Sequence, residues 1–174
     1  MPKKVTLKDE KIIDSWSVLI EDAKGRKNEI YEKTKKYIEK VQVPEITVEE
    51  VNVRPGWLKG FLGKEREYLR VTMKGIKDYK MYVGARDFGN DLDVQWYLTC
   101  EPSYFRARLS KALTGGATDK AFLQILDIFD QQDLRAYATV VHHALLKAVC
   151  DLMSELNQDP SKIDRKSRGF LGIS

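Results

Sequence analysis

The sequence predicts an α+β fold in which an antiparallel meander sheet of four or more strands packs one face against helices. Three consecutive segments between Tyr68 and Cys100 alternate apolar and polar residues, and short turns rich in Gly, Asn and Asp separate them. This pattern is typical of antiparallel strands with one buried face. A long amphipathic pattern follows over residues 131–156. We expect that helix to cover the apolar face of the sheet.

The composition predicts one globular domain. The chain has 174 residues, of which 43% are hydrophobic and 32% are charged with mixed sign, so it can bury a sizeable core. We expect a single domain over residues 1–174. Its four parts are an N-terminal helical region (1–42), the antiparallel sheet (43–101), the C-terminal helices (102–158) and a basic flexible tail (159–174).

The first segment is predicted to be helical. Thr6 is a plausible N-cap, and the residues that follow form one apolar stripe at helical spacing, namely Ile12, Trp16, Leu19, Ile20 and Ala23. A second stripe of the same kind runs from Ile30 to Val41, and Pro44 ends it. Gly25 lies between the two stripes, so the sequence leaves open whether residues 9–41 form one helix or a helical hairpin.

Two further regions carry a periodic pattern. The apolar residues of 46–53 alternate, but the alternation slips between Glu49 and Glu50, which predicts either a β-bulge or two shorter strands. After the sheet we expect short helices at 104–113 and 122–129. The helix at 131–156 should begin at Asp130 as N-cap, with Asp133 in its first turn. Its buried face is predicted from these residues: Leu134, Ala138, Val141, Leu145, Ala148, Val149, Leu152 and Leu156.

The sequence predicts a cytoplasmic protein. It shows neither the apolar segment of a signal peptide nor the roughly 20 apolar residues of a transmembrane helix. Cys100 and Cys150 are therefore interpreted as free thiols in a reducing compartment.

The two histidines do not form a metal site. His142 and His143 are adjacent, and neighbouring residues on a helix point about 100° apart, so they cannot chelate one ion together. The sequence also has no Cys/His cluster with metal-ligand spacing. We expect His142 to be half-buried and hydrogen-bonded to a neighbour, and we predict no metal and no cofactor.

Acidic residues gather around one predicted hairpin, at Asp87, Asp91 and Asp93. Such carboxylates could serve acid/base chemistry or bind a divalent cation. The alternative is structural, because Asp at a tight turn hydrogen-bonds the backbone. On the neighbouring strands Arg70, Arg86 and Glu101 could likewise form cross-strand ion pairs. We assign no catalytic residue.

The loop at residues 54–64 is the strongest candidate for a binding surface. It combines three glycines and a proline with apolar and basic side chains, and such loops either pack on their own domain or meet a partner. The candidate binding residues are Trp57, Lys59, Phe61, Leu62, Lys64 and Arg66.

The pattern as a whole favours a non-enzymatic binding or assembly module. It would contact a protein, a second copy of itself or a small apolar ligand through its sheet and the 54–64 loop. One alternative is a small enzyme that uses the hairpin carboxylates with His142. A further alternative is nucleic acid or an anionic membrane surface bound by the basic aromatic loop. Nucleic acid is the less favoured partner, because the net charge of +4 is dispersed.

Overall fold

A computed structural model of the chain describes residues 2–6, 10–54, 65–101, 128–169 and 171–174. This part of the chain forms six strands and two α-helices, and it confirms the predicted α+β class. The strands are β1 (Lys3–Thr6), β2 (Lys11–Ile20), β3 (Ile46–Arg54), β4 (Arg66–Met73), β5 (Tyr79–Phe88) and β6 (Asp91–Cys100). The helices are α1 (Lys27–Val41) and α2 (Ile128–Glu155), and short 3-10 turns lie at Lys74–Ile76 and Pro160–Lys162.

The strands form one sheet with the spatial order β1-β3-β4-β5-β6-β2. Strands β3 to β6 pair antiparallel with their neighbours in sequence, so the predicted meander is confirmed. Two edge strands that the sequence analysis did not predict extend it. Strand β1 pairs parallel with β3, and β2 pairs antiparallel with β6.

The main hydrophobic core lies between one face of the sheet and the two helices. The predicted apolar face of α2 is confirmed, since Leu134, Val141, Leu145 and Leu152 have no exposed side-chain surface. The described part of the helix already includes Ile128 and Phe129, however, so Asp130 lies within the helix and is not its N-cap.

The predicted helix at the N-terminus is wrong, because residues 11–20 form β2. The apolar residues fit both periods, but the ones that are buried follow the period of a strand. Trp16 is buried opposite Trp96 of β6, whereas Ile12 and Leu19 are 60% and 49% exposed. Thr6, the expected N-cap, belongs to β1. The question of one helix or a hairpin is thus resolved as a strand followed by α1.

Strand β3 is continuous and has no bulge in its register with β4. The slip in its pattern has another cause. The apolar side chains of the first half of the strand lie on one face of the sheet, and those of the second half lie on the other face. Ile46 and Val48 pack against the main core, whereas Val51 and Val53 belong to a second cluster with Tyr82. The second cluster lies on the opposite face of the sheet, which we call the outer face.

The predicted flexible tail is also wrong. Leu171 and Ile173 are only 3% exposed and belong to the main core. The buried carboxylate of Asp14 accepts hydrogen bonds from the Ser167 hydroxyl at 3.0 Å and from the Gly169 amide at 2.7 Å. Because an isolated buried carboxylate is costly, these donors fix the tail against β2.

Two predictions on the connecting segments are not tested. The helix at 104–113, and residues 122–127 of the next one, lie outside the described residues, while Ile128 and Phe129 belong to α2. Both cysteines are free, as expected.

Candidate binding groove

His142 lies in the core, where it contributes to packing and hydrogen bonding. It is completely buried, and its Nδ1 accepts a hydrogen bond from the Trp96 indole at 2.9 Å. The Trp16 and Trp96 rings meet it edge-on. Burial, reinforced by His143, lowers the pKa of His142 to about 4. The predicted hydrogen-bonded histidine is confirmed, although it is fully buried and not half-buried.

Each of the hairpin carboxylates holds a neighbouring segment in place. Asp87 accepts from the Gly25 amide at 2.9 Å, and Asp91 accepts from the Asp22 amide at 3.1 Å. Asp93 pairs with Arg86 at 2.9 Å. Two of these contacts position the turn that leads from β2 into α1.

Arg70, Arg86 and Glu101 form cross-strand ion pairs as predicted. None of the three pairs with another of the three. Arg70 pairs with Glu49, and Lys80 pairs with Glu101, each at 2.5 Å. The hairpin carboxylates and His142 are not brought together, because His142 faces two indoles on the helix side of the sheet. No group of three or more potential metal ligands occurs among the described residues.

The predicted binding loop is only partly described. Trp57, Lys59, Phe61, Leu62 and Lys64 lie outside the described residues. The chain leaves β3 at Arg54 and returns at Glu65, and these two side chains form a salt bridge of 3.2 Å. Arg66, the sixth candidate, follows directly and lines a groove.

This groove has a volume of about 660 Å³ and opens between β4 and β5. Ligand pockets in proteins occupy roughly 300–1,000 Å³. Its walls are residues 65–68 and residues 84–87, and Gly25, Lys27, Asn28 and Gln95 complete the lining.

The groove exists because the β4–β5 ladder stops early. β4 pairs with β3 as far as Arg66, and β5 pairs with β6 as far as Phe88. Between β4 and β5, however, the last pair towards this end is Leu69 with Val83. The walls of the groove are thus the two stretches of strand that the ladder would join if it continued.

Three residues from the start of α1 and the turn before it contact both strands where the ladder is missing. The Tyr31 hydroxyl donates to the Glu67 carbonyl at 2.8 Å and accepts from the Ala85 amide at 3.1 Å. Lys27 forms a salt bridge with the Glu67 side chain, and the Gly25 amide binds Asp87. Burial raises the pKa of Tyr31, so its hydroxyl keeps the proton that it donates. The opening is therefore held by specific side chains.

The outer rim of the groove is aromatic and basic. The ring of Tyr68 lies over Gly84, where a Cβ atom would come within 2.5 Å of the ring. Gln95 is 9% exposed, and its carbonyl oxygen accepts from the Tyr97 hydroxyl at 2.7 Å. Arg66 is exposed and forms no salt bridge within the described ranges. The rim thus offers a ring, an amide and an unpaired guanidinium.

Sequence reasoning identified Arg66 but missed the groove. One signal was present, because an isolated glycine inside a strand pattern, as at Gly84, often marks a close approach by another group. The role of Tyr31 could not be predicted, since a tyrosine on the apolar stripe of a helix is expected simply to pack in the hydrophobic core.

The chain matches no protein-family model, and no curated protein or solved structure shows significant similarity to it. The groove must therefore be interpreted from its own chemistry.

Proposed function

We propose that this chain is a non-enzymatic binding module whose ligand lies in the groove between β4 and β5. The observation that carries the proposal is the early end of the β4–β5 ladder, which leaves two strand edges facing a groove of about 660 Å³. A sheet normally continues its ladder where two strands run side by side, because unpaired backbone groups are costly away from water. Here the Tyr31 hydroxyl satisfies the Glu67 carbonyl and the Ala85 amide instead, so the gap persists as a preformed groove in which we place the ligand.

The charges of the groove favour binding over catalysis. Among the carboxylates that line it, Glu65 pairs with Arg54, Glu67 pairs with Lys27, and Asp87 binds a backbone amide. Each of the three carboxylates has at least one structural partner, although Glu65 Oε1 is buried without a hydrogen bond. We take these contacts as support for a structural role of the three carboxylates. Arg54 and Glu65, which flank the loop at 54–64, form a salt bridge beside the groove, and we propose that loop as a second contact surface for the same ligand.

Nuclear magnetic resonance with a fragment library tests the proposal. The side-chain amide of Gln95 and the backbone amide of Ala85 report on the groove. The side-chain amide of Gln42 is the internal control, because it lines a smaller groove of about 260 Å³ at the end of α1. We expect a subset of fragments to shift Gln95 and Ala85 together and to leave Gln42 unchanged.

A pair of variants controls for nonspecific binding. Tyr68→Ala removes the ring from the rim and should abolish these shifts. Tyr37→Ala removes a tyrosine of α1 that contacts Asp151 of α2, away from the groove, and should preserve them. The proposal is wrong if no fragment shifts the groove reporters, or if the Tyr68→Ala variant responds like the unaltered chain.

A further inference from the structure

We infer that the part of β2 that holds the C-terminal tail is a docking site for a second copy of this chain. The occupant that we assign to it is residues 59–63 of the second copy's loop. We call this part of β2, which comprises Asp14 and Ser15 and the core beside them, the tail site. It lies at the β2 edge of the sheet, away from the groove. The inference therefore goes beyond the proposed function and does not depend on it.

The tail site binds the backbone of the segment that occupies it. β2 is an edge strand of the sheet, and its Ser15 carbonyl accepts a hydrogen bond from the Arg168 amide at 2.8 Å. The Asp14 carboxylate accepts from the Gly169 amide at 2.7 Å. Exposed strand edges are sites at which other segments dock through main-chain hydrogen bonds. A different segment with the same backbone path can therefore make both contacts.

The tail site selects two glycines and a leucine. A Cβ atom on Gly169 would lie 2.4 Å from the Asp14 carboxyl group and 2.5 Å from the Asp14 Cα atom, so no larger residue fits there. Leu171 is only 3% exposed and packs in the main core. Gly172 has a φ of 56°, a left-handed conformation that favours glycine. An occupant of the tail site therefore needs the pattern Gly-x-Leu-Gly.

This pattern occurs once more in the sequence, in the loop at 54–64. Residues 168–172 read Arg-Gly-Phe-Leu-Gly, and residues 59–63 read Lys-Gly-Phe-Leu-Gly. Among the 11 glycines of the chain, only these two pairs are separated by two residues. The loop is therefore the one other segment of this chain that meets the requirement.

The loop lacks two contacts that the tail makes. Ser167, whose hydroxyl donates to Asp14 at 3.0 Å, corresponds to Leu58, and the buried Ile173 corresponds to Lys64. The loop should therefore bind more weakly than the tail, which also has the advantage of belonging to the same chain as the site. The tail thus masks the site, and a second copy gains access when the tail is released.

The loop of the same copy cannot reach the tail site. Asp14 pairs with Leu98, and the same row across the sheet continues to Val71 of β4. From Val71 to Glu65, which follows the loop, is about 20 Å along the strand, and β2 lies three strands away, about 14 Å to the side. The separation is thus about 24 Å, whereas the five steps from Glu65 to Gly60 span at most about 19 Å. The occupant must come from a second copy.

Sedimentation of full-length variants tests the inference. Gly169→Ala releases the tail but leaves Asp14 and Ser15 unaltered, so its weight-average mass should rise at least twofold with concentration. The unaltered chain should remain a monomer under the same conditions. Ile173→Lys, which introduces the residue that the loop carries, should also release the tail. It provides the same test if Gly169→Ala does not fold.

Two second-site substitutions identify the occupant. In the Gly169→Ala background, Gly60→Ala places a methyl group against Asp14 of the second copy and should restore the monomer. Gly56→Ala changes a glycine of the same loop outside the repeat, and association should persist. A synthetic peptide of residues 167–174 should dissociate the Gly169→Ala variant, whereas the same peptide with the Gly169→Ala change should not.

The inference is wrong if both tail variants are cleaved rapidly by trypsin after Arg168 but remain monomeric. Equal effects of Gly60→Ala and Gly56→Ala would overturn it as well. So would an unaltered chain that associates as strongly as the variants, because the tail would then not mask the site. A protected tail in Gly169→Ala would contradict the requirement for glycine. None of these results affects the proposed function, which is read from the fragment shifts of Gln95 and Ala85.

Discussion

The imidazole of His142 has to stay neutral, because its Nδ1 accepts the indole N–H of Trp96. Protonation of Nδ1 would turn it from an acceptor into a donor, so that its N–H would face the indole N–H of Trp96 inside the core. The same residue could have been read as a catalytic base from the sequence alone, since its indole partners come from strands far away in the chain. Contacts of this kind join residues that are far apart in the sequence, so hydrophobic periodicity cannot predict them.

Acid should weaken the fold through His142. Its pKa is about 4 in the folded chain and about 6.5 when solvated, so the unfolded chain binds more protons between these values. Stability therefore falls as the pH is lowered through this window, by about 3 kcal/mol in total. Urea unfolding at several pH values measures it.

The matched variants for this prediction are His142→Gln and His143→Gln. The first keeps an acceptor for Trp96 but does not titrate, so the slope of stability against pH between 4 and 6.5 should become shallower. The second should retain the slope. Identical slopes in the unaltered chain and in His142→Gln would show that His142 is not the responsible group.

Gly84 is required for the aromatic rim of the groove. A Cβ atom there would lie 2.5 Å from the Tyr68 ring, so Gly84→Ala should displace the ring and cost about 1–3 kcal/mol of stability. Gly75→Ala is the control, because its Cβ would meet nothing within 4 Å. Denaturant melts compare the two, and equal effects would contradict the packing of Tyr68 on Gly84.

At the scale of elements, the best-predicted part is α2, whose long apolar stripe has no competing period. Leu145 is completely buried, so Leu145→Ala should lower the free energy of unfolding by about 2–5 kcal/mol. Asp133 is exposed, and Asp133→Asn should change the free energy of unfolding by less than about 1 kcal/mol. Denaturant unfolding measures both. A loss below 1 kcal/mol for Leu145→Ala would mean that the helix packs with a different face.

The C-terminal tail is an element that the sequence did not reveal as ordered. It is basic and short, and the residue that fixes it, Asp14, lies at the other end of the chain. Gly169→Ala would place a Cβ 2.4 Å from the Asp14 carboxyl group, so the tail should detach. Limited trypsin digestion should cleave after Arg168 slowly in the unaltered chain and rapidly in this variant. Rapid cleavage of both would show that the tail is not packed.

At the scale of the whole molecule, the sequence predicted the class, the meander and the covering helix, because these depend on local period and short turns. It failed for β2, where the apolar residues fit two periods and only pairing with β6 decides between them. It wrongly predicted a bulge or a break in β3, because the two halves of that strand pack in two different hydrophobic clusters on opposite faces of the sheet. It could not predict the groove, since that depends on a hydroxyl of α1 placed between two strands.

The described helices add one constraint on the whole chain. Neither α1 nor α2 is both long and apolar enough to cross a membrane. The long α2 instead buries its apolar side chains against the sheet and α1.

The central claim is that the β4–β5 ladder is open beyond Leu69 and Val83, and cross-strand contacts between α-protons measure it most directly. Nuclear Overhauser effects of this kind are strong between facing residues of an intact antiparallel ladder, where the strands approach most closely. We predict a strong contact between Arg70 and Tyr82 and none between Arg66 and Arg86. A strong contact between Arg66 and Arg86 would mean that the ladder continues, that the groove is closed and that the proposed binding site does not exist.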